Sequence, residues 1–333
     1  MGSLAARSTF GVRPCVRKMT IISGYKVIFM GTPDFAVPTL QALHQAGFTL
    51  PLVVTQPDRP KGRGRKTVPT SVKATARKLG LSVAQPPSVR TADFVARLQA
   101  LEPDFFVVAA MGQILSQELL DIPKIGPINV HASLLPKYRG AAPIQWALIN
   151  GEQETGITTM LMNAGMDTGD ILLSACTDIT GTDTAQSLHD RLSLMGAELL
   201  IETLDGLIAN TLAPIPQDDS QATKAPMLKK ADGRIDWRKP AADLDCFIRG
   251  MTPWPGAFTF MGDRRLKIFA AKPAPLPVQA PPGTVVSSFA GELRVATGDQ
   301  ALSILELQEA SGKRLPVRDY LIGKQMAAGT ELR

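Results

Sequence analysis

A continuous apolar run, Phe105-Phe106-Val107-Val108-Ala109-Ala110, constrains the fold of this chain most strongly. A run without alternating polar residues is typical of a strand that is buried on both faces of a sheet. Similar runs occur at 26–30, 50–55 and 127–131, and helical patterns lie between runs of this kind. Strands that alternate with helices predict an α/β fold, namely a doubly wound, Rossmann-like parallel sheet.

The second half of the chain is organised differently. We expect a long helix from Thr184 to about Ala209, followed by a proline-containing linker at 210–230 without hydrophobic periodicity. Short candidate strands then follow between Gly, Pro and Asp turns, at 257–261, 265–271, 283–288, 293–297 and 302–307. Such a series of short strands predicts a small β-barrel of the OB type. The chain is therefore expected to have two domains, at 25–209 and 231–333.

Basic residues are concentrated at the N-terminus. Of the formal net charge of +6, residues 1–24 contribute Arg7, Arg13, Arg17 and Lys18 without a carboxylate. The remainder is nearly neutral, so an anionic partner must be bound by local basic patches. We expect residues 1–24 to be a disordered tail. In this interpretation the protein is cytoplasmic, and most of the tail lies upstream of a translation start at Met19. The alternative is a transit peptide for the mitochondrial matrix.

Two segments contain candidate catalytic residues: Asn129-Val130-His131-Ala132-Ser133-Leu134-Leu135-Pro136, and Gly165-Met166-Asp167-Thr168-Gly169-Asp170. Residues i and i+2 of a strand point to the same face, so Asn129 and His131 project side by side. They fall at the carboxyl end of a strand, where doubly wound sheets bind ligands. An amide, an imidazole and a carboxylate can stabilise an oxyanion, transfer a proton and orient the imidazole. The alternative is an ordinary buried histidine at a strand end.

Several other kinds of chemistry are excluded. The three cysteines are widely spaced and odd in number, which excludes a disulfide scaffold and is typical of a reducing compartment. The three histidines have no metal-ligand spacing, so we expect no metal. Asp167-Thr168-Gly169 matches the aspartic protease triplet, but the chain has no second triplet to supply the other carboxylate. No apolar run approaches the roughly 20 residues of a membrane span, so we expect no membrane partner.

A cationic segment follows the second strand. Residues 59–66, which we call the basic arm, interleave glycine and proline with the cations Arg59, Lys61, Arg63, Arg65 and Lys66. We expect a mobile loop here, because such a segment cannot bury itself. Guanidinium groups suit bidentate contacts with phosphate, so the arm favours a nucleic-acid partner over a loop that is merely solvated.

Taken together, these motifs resemble the 10-formyltetrahydrofolate-dependent formyltransferases. The resemblance begins with the two catalytic segments and covers roughly residues 25 to 333. It continues in Tyr138-Arg139-Gly140-Ala141-Ala142-Pro143-Ile144-Gln145, in Gly31-Thr32-Pro33-Asp34-Phe35 and in Gln56-Pro57-Asp58-Arg59-Pro60. Met111 departs from the family, which commonly has an aromatic residue after the third strand, and this difference could alter the packing of the pterin.

The resemblance implies a catalytic domain at 25–209, and a C-terminal domain at 231–333 that binds tRNA. Asn129, His131 and Asp167 would be catalytic. Asp167 would either hold the tautomer of the imidazole or relay the proton of the attacking amine. The implied co-substrate is 10-formyltetrahydrofolate, with a folate pocket wall formed by Ser133, Leu134, Leu135 and Pro136.

The implied acceptor is the amino group of initiator methionyl-tRNA, and Arg63 of the basic arm would read the acceptor end of that tRNA. We expect a monomer. The nearest alternative is a formyltransferase that acts on an amino sugar nucleotide, which has no need of an extended cationic arm. A glycinamide ribonucleotide formyltransferase would leave residues 210–333 unexplained. An RNA-binding module without catalysis would leave the catalytic residues unexplained.

Overall fold

The computed structural model describes residues 24–61, 66–275, 279–289, 291–324 and 326–333. Apart from Gly24, the tail expected at residues 1–24 lies outside this range. The strands of the first half are β1 (Lys26–Gly31), β2 (Thr49–Val54), β3 (Arg59–Lys61), β4 (Lys66–Val68), β5 (Val83–Ala84), β6 (Phe105–Ala109), β7 (Gly126–His131), β8 (Glu154–Leu161) and β9 (Ile171–Asp178). The helices are α1 (Val37–Gln45), α2 (Ser71–Lys78), α3 (Ala92–Ala100), α4 (Gln117–Leu120), α5 (Pro143–Ile149) and α6 (Ala185–Ile208).

The first domain is built around one sheet with the strand order β5-β2-β1-β6-β7-β8-β9. Neighbours from β5 to β7 pair in parallel, which confirms the doubly wound, Rossmann-like sheet. Beyond β7, the strands β8 and β9 extend the sheet in antiparallel pairing. The sequence did not indicate these two strands. Thr155, Thr158 and Thr159 are buried along β8, so the strand has no continuous apolar run to reveal it.

Apolar side chains from the central strands pack against helices on both faces of the sheet. Val27 and Phe29 of β1 lie in one core with side chains of α1 and α6, whereas Ile28 and Met30 lie in a second core with side chains of α3 and α4. Successive side chains of a strand point to opposite faces, so a strand buried on both faces needs an uninterrupted apolar sequence. This explains why the apolar runs located these strands.

The second domain is an antiparallel barrel. Its elements are α7 (Ala241–Met251), β10 (Ala257–Met261), β11 (Arg264–Ala274), β12 (Val285–Phe289), β13 (Glu292–Ala296), β14 (Ala301–Glu309), β15 (Leu315–Pro316) and α8 (Val317–Gly323). The strand order is β10-β11-β14-β13-β12, with β15 paired to β14. The end of the chain bridges the two sides of this sheet: Arg333 and Phe260 exchange backbone hydrogen bonds of 2.8 and 2.7 Å, and Leu332 N–H donates to the Gly283 carbonyl at 2.8 Å. The OB-like barrel is thus confirmed.

Residues 210–230, predicted to be a linker, are attached to the first domain at several points. Ile215 and Ile171 exchange backbone hydrogen bonds of 2.8 Å, and Ala225 N–H donates to the Arg139 carbonyl at the same distance. The domains also touch directly, because α7 packs on α5. At that contact, a Cβ on Gly250 would lie 2.9 Å from the Gln145 carbonyl oxygen. Among the described helices, none is long and apolar enough to cross a membrane.

Candidate active site

Asn129 and His131 lie at the carboxyl end of β7, as the sequence predicts. His131 is 6% exposed, and Asn129 is partly buried. The next strand holds their backbone in register, because Asn129 pairs with Met160 and His131 pairs with Thr158 of β8. Strand β8, which the sequence did not indicate, therefore helps to position the site, because it fixes the end of β7 from the side opposite β6.

The loop between β8 and β9 brings Asp167 to these two residues. Its Oδ1 accepts a hydrogen bond from Asn129 Nδ2 at 3.3 Å and lies 3.7 Å from His131 Nδ1, whereas its Oδ2 accepts from Gly140 N–H at 2.9 Å. Asp167 has a φ of 55°, in the left-handed region. Within the same loop, a Cβ on Gly169 would collide with the Leu161 carbonyl oxygen. The structure thus brings the amide, the imidazole and the carboxylate together.

The second ring nitrogen of His131 faces the backbone. His131 Nε2 lies 3.0 Å from the carbonyl oxygen of Tyr138, which can only accept a hydrogen bond. Nε2 therefore carries a hydrogen, and the neutral ring has its lone pair on Nδ1. One of the two roles considered for Asp167, holding the tautomer, is thus performed by the backbone of Tyr138.

Tyr138 is itself fixed by polar contacts. It has a φ of 63°, and its hydroxyl donates to Glu152 Oε1 at 2.7 Å and accepts from Asn150 Nδ2 at 3.2 Å. Burial raises the pKa of Tyr138 to about 12, and the hydrogen bond to Glu152 acts in the same direction. The phenol therefore stays protonated. Its two hydrogen bonds help to fix Tyr138, the residue whose backbone carbonyl faces His131.

The residues expected in the folate pocket wall form a tight turn after β7. Ser133 and Leu135 are buried, whereas Leu134 and Pro136 are half-buried. Ser133 Oγ donates to the Lys137 carbonyl at 2.7 Å, and Leu135 N–H donates to Thr158 Oγ1 at 3.1 Å. The serine hydroxyl is thus used to hold the turn, and contact with a folate remains a prediction for these residues.

The first and last residues of the basic arm belong to a two-stranded antiparallel ribbon, and the mobile loop expected between them, at 62–65, lies outside the described residues. Arg59–Lys61 pairs with Lys66–Val68, while Arg63 and Arg65 lie outside the described residues. Backbone pairing forms here because hydrogen bonds across the ribbon need no buried side chains. Exposed Arg59 donates from Nη2 to Gln56 Oε1 at 2.9 Å.

An ion pair anchors the base of the arm. Asp58 Oδ2 lies 2.5 Å from Lys73 Nζ, and its Oδ1 accepts from Gln85 Nε2 at 2.6 Å. The hydrogen bond from Lys73, followed by that from Gln85, lowers the pKa of Asp58. The carboxylate therefore neutralises one cation of the first domain and ties the arm to α2.

Gln56 connects the arm to the loop after β6, a role that the sequence did not reveal. Its Nε2 donates to the carbonyl oxygens of Met111 and Gly112 at 3.0 and 3.1 Å. Thr32 Oγ1 after β1 also donates to the Met111 carbonyl, at 3.0 Å. Three strand ends are joined in this way. Gln56 and Thr32 do stand in motifs that carried the resemblance, but nothing in the sequence indicated which backbone atoms they bind.

The other two histidines, His44 and His189, lie outside the candidate active site. His189 lies with its Nε2 3.4 Å from Asp34 Oδ1 and packs edge-on against Phe35, while His44 is exposed on α1. Within the described ranges, no three His, Cys, Asp or Glu side chains are grouped so that they could hold a metal ion.

The sequences of both domains place this chain among the formyl transferases. Residues 25–204 match the family described as formyl transferase, and residues 227–325 match the formyl transferase C-terminal domain. Within this class, relatives that are 50–51% identical over 92–93% of the chain show that it belongs to the methionyl-tRNA formyltransferase family.

Relatives with that name are similar over nearly the whole chain. The methionyl-tRNA formyltransferase of Citrifermentans bemidjiense is 51% identical over 92% of this chain and 96% of its own length. That of Geobacter sulfurreducens is 50% identical over 93% of this chain and 98% of its own length.

Two solved structures share the fold at lower identity. HypX from Aquifex aeolicus in complex with tetrahydrofolic acid has a TM-score of 0.59 and 17% identity, and the match covers 90% of this chain and 47% of HypX. An N-formyltransferase from Helicobacter canadensis, in complex with folinic acid and dTDP-3-aminofucose, has a TM-score of 0.61 and 18% identity. That match covers 86% of this chain and 100% of the other.

Proposed function

We propose that this protein transfers the formyl group of 10-formyltetrahydrofolate to the amino group of initiator methionyl-tRNA. The observation that carries the proposal is the meeting of Asn129, His131 and Asp167 at the carboxyl edge of the sheet. The names of relatives that are about 50% identical support the acceptor.

Asn129 acts on the oxyanion. When the amine attacks the formyl carbon, the carbonyl oxygen gains negative charge in a tetrahedral intermediate. Asn129 Nδ2 uses one hydrogen toward Asp167, so the second remains to bind the oxyanion. A donor placed in this way contributes about 3 kcal/mol to the stability of the transition state.

His131 Nδ1 handles the proton. Because the hydrogen of the neutral ring is on Nε2, the Nδ1 lone pair is available to the amine, and Asp167 Oδ1 at 3.7 Å, itself an acceptor, does not occupy it. The amine loses a proton to Nδ1 as the new C–N bond forms, and the neighbouring carboxylate stabilises the resulting imidazolium. The proton then passes to the folate nitrogen as the old C–N bond breaks. No covalent enzyme intermediate is required.

Other residues bind the substrates. Ser133, Leu134, Leu135 and Pro136 form the folate side of the site, with Leu134 and Pro136 as the surfaces that contact the ligand. The tRNA is bound by the basic arm through Arg59, Lys61, Arg63, Arg65 and Lys66.

The proposed division of the chain is a catalytic domain at 25–209, a linker at 210–230 and a tRNA-binding domain at 231–333. The protein is proposed to act as a monomer. The bacterial relatives support the cytoplasm as the place of action.

A competition assay tests the acceptor. Purified protein receives 10-formyltetrahydrofolate with charged initiator tRNA, and an amino sugar nucleotide is present in excess. Formyl-methionyl-tRNA is the expected product, with the sugar left unmodified. Formylation of the sugar, with the tRNA left unmodified, would replace the proposal with the amino sugar alternative.

A further inference from the structure

Gln217 lies in the linker, but its side chain reaches into the active site. Pro216 and Asp218 on either side are exposed, whereas Gln217 is half-buried. Its Nε2 donates to the carbonyl oxygens of Asp167 and Gly169 at 3.0 and 2.6 Å. The side chain therefore binds the backbone of the loop that contains the catalytic carboxylate.

The other end of the same amide binds Arg139. Gln217 Oε1 accepts from Arg139 Nε and Nη2 at 3.0 and 2.7 Å, so every donor and acceptor position of the amide is in use. A reversed amide would set its oxygen against two carbonyl oxygens and its NH₂ against a guanidinium. The amide thus has one orientation and joins two loops.

Arg139 stands between two residues whose backbone contacts the catalytic side chains. The Tyr138 carbonyl accepts from His131 Nε2 at 3.0 Å, and Gly140 N–H donates to Asp167 Oδ2 at 2.9 Å. Gln217 therefore ties the segment that orients His131 and one carboxylate oxygen to the backbone of Asp167 itself.

The linker supports this segment elsewhere too. Arg139 N–H donates to the Thr223 carbonyl at 2.9 Å, and Arg139 Nη2 donates to Asp219 Oδ1 at 2.7 Å. Asp219 is 82% exposed, so water screens its ion pair with Arg139 and the pair contributes little. The Gln217 amide is the better-shielded connection.

We propose that Gln217 is a positioning residue for formyl transfer, because it fixes the distance between Asp167 and His131. The proposal rests on the function proposed above. Misplacing a catalytic group by about 1 Å can lower a rate by about 100-fold. A residue that acts in this way changes kcat and leaves the binding of both substrates unchanged.

The bridge is the set of hydrogen bonds by which the Gln217 amide joins Arg139 to the backbone of Asp167 and Gly169. The substitution Gln217→Glu tests the two ends of this bridge separately. A carboxylate still accepts both hydrogen bonds from Arg139, but it cannot donate to the carbonyl oxygens of Asp167 and Gly169. The matched control is Gln221→Glu, the same change in the same linker, where the exposed Gln221 side chain bonds to Asp218. Steady-state kinetics and thermal unfolding are measured for the wild type and both variants.

In Gln217→Glu we expect kcat to fall by about tenfold or more. Both KM values should stay within about twofold of wild type, and the Tm should be close to that of Gln221→Glu. Wild-type kcat in Gln217→Glu would overturn the proposal. So would a loss of kcat that Gln221→Glu reproduces, or one accompanied by a matching loss of folded protein.

Hydrogen exchange gives a second result that does not depend on the acceptor. Peptides that cover residues 163–172 should exchange faster in Gln217→Glu than in Gln221→Glu. Unchanged exchange would overturn the role of the bridge, even if the wild type turned out to formylate a different acceptor. Failure of the wild type on charged tRNA, with faster exchange in Gln217→Glu, would count against the proposed function alone.

Discussion

His131 is held between two acceptors: its Nε2 lies 3.0 Å from the Tyr138 carbonyl oxygen, and its Nδ1 lies 3.7 Å from Asp167 Oδ1. A backbone carbonyl has no alternative protonation state at neutral pH, so the tautomer does not depend on Asp167. The carboxylate can instead respond to charge that appears on the ring during the reaction. This division of roles leads to distinct expectations for variants of the site.

Asp167→Asn should lower kcat by about 100-fold while the protein remains folded. Asparagine tolerates the left-handed backbone that Asp167 adopts at a φ of 55°, so the loop is not strained by the change. A neutral amide cannot stabilise an imidazolium. Kinetics at saturating substrates and near-ultraviolet circular dichroism together check this. A variant with native spectrum and wild-type kcat would remove Asp167 from the mechanism.

Arg63→Ala should raise KM for charged tRNA and leave KM for the folate donor unchanged. Arg63 lies outside the described residues, but the strand that precedes it, Arg59–Lys61, follows β2 at the carboxyl edge of the sheet. Each lost phosphate contact should also reduce the salt slope of tRNA binding by about 0.7 to 0.9. Both KM values are measured at two salt concentrations, with the exposed Arg97→Ala on α3 as the control. Equal effects on both substrates would show that the arm is merely solvated and does not bind the tRNA.

Asp183→Asn should destabilise the fold by about 2 kcal/mol at pH 7. Burial would raise the pKa of this carboxyl, but hydrogen bonds led by that from Thr180 N–H outweigh burial and lower it to about 2. Because folding lowers the pKa of Asp183, the carboxylate contributes its full stabilisation of the folded state above the unfolded pKa of 3.8. This stabilisation is lost as the pH falls towards 2.

The stability difference between wild type and Asp183→Asn should therefore narrow as the pH falls below about 4. Denaturant unfolding at pH 7, 5 and 3.5 measures it, with Asp190→Asn as a control, because the Asp190 side chain is 65% exposed. A difference that stays constant with pH would mean that the carboxylate charge is not the source of the effect.

The sequence predicted the elements whose side chains follow a simple period. The two-sided burial of β1 and β6 requires apolar residues throughout, and the i, i+2 relation on β7 paired Asn129 with His131. The barrel strands were indicated by their turns. These signals are local, so one sequence is enough to reveal them.

Contacts between distant segments could not be predicted in this way. The threonines of β8 look like solvent-facing residues, but Thr159 contacts Thr203 of α6 and Thr158 contacts the turn after β7. Gln217 stands among exposed polar residues and looks like them in the sequence. Its proposed role depends on hydrogen bonds to carbonyl groups that are 48 and 50 residues away. Nothing in a linear pattern indicates which backbone atom a side chain will reach.

The most direct test of the site compares kcat of His131→Ala and Asn129→Ala with wild type, with both substrates at saturation. His44→Ala on the exposed face of α1 is the control. The proposed roles predict a fall of at least about 100-fold in each site variant, because each removes a group that acts on the transition state. Unfolding by denaturant should show little change in stability. Either site variant retaining more than half of the wild-type kcat would contradict the catalytic assignment.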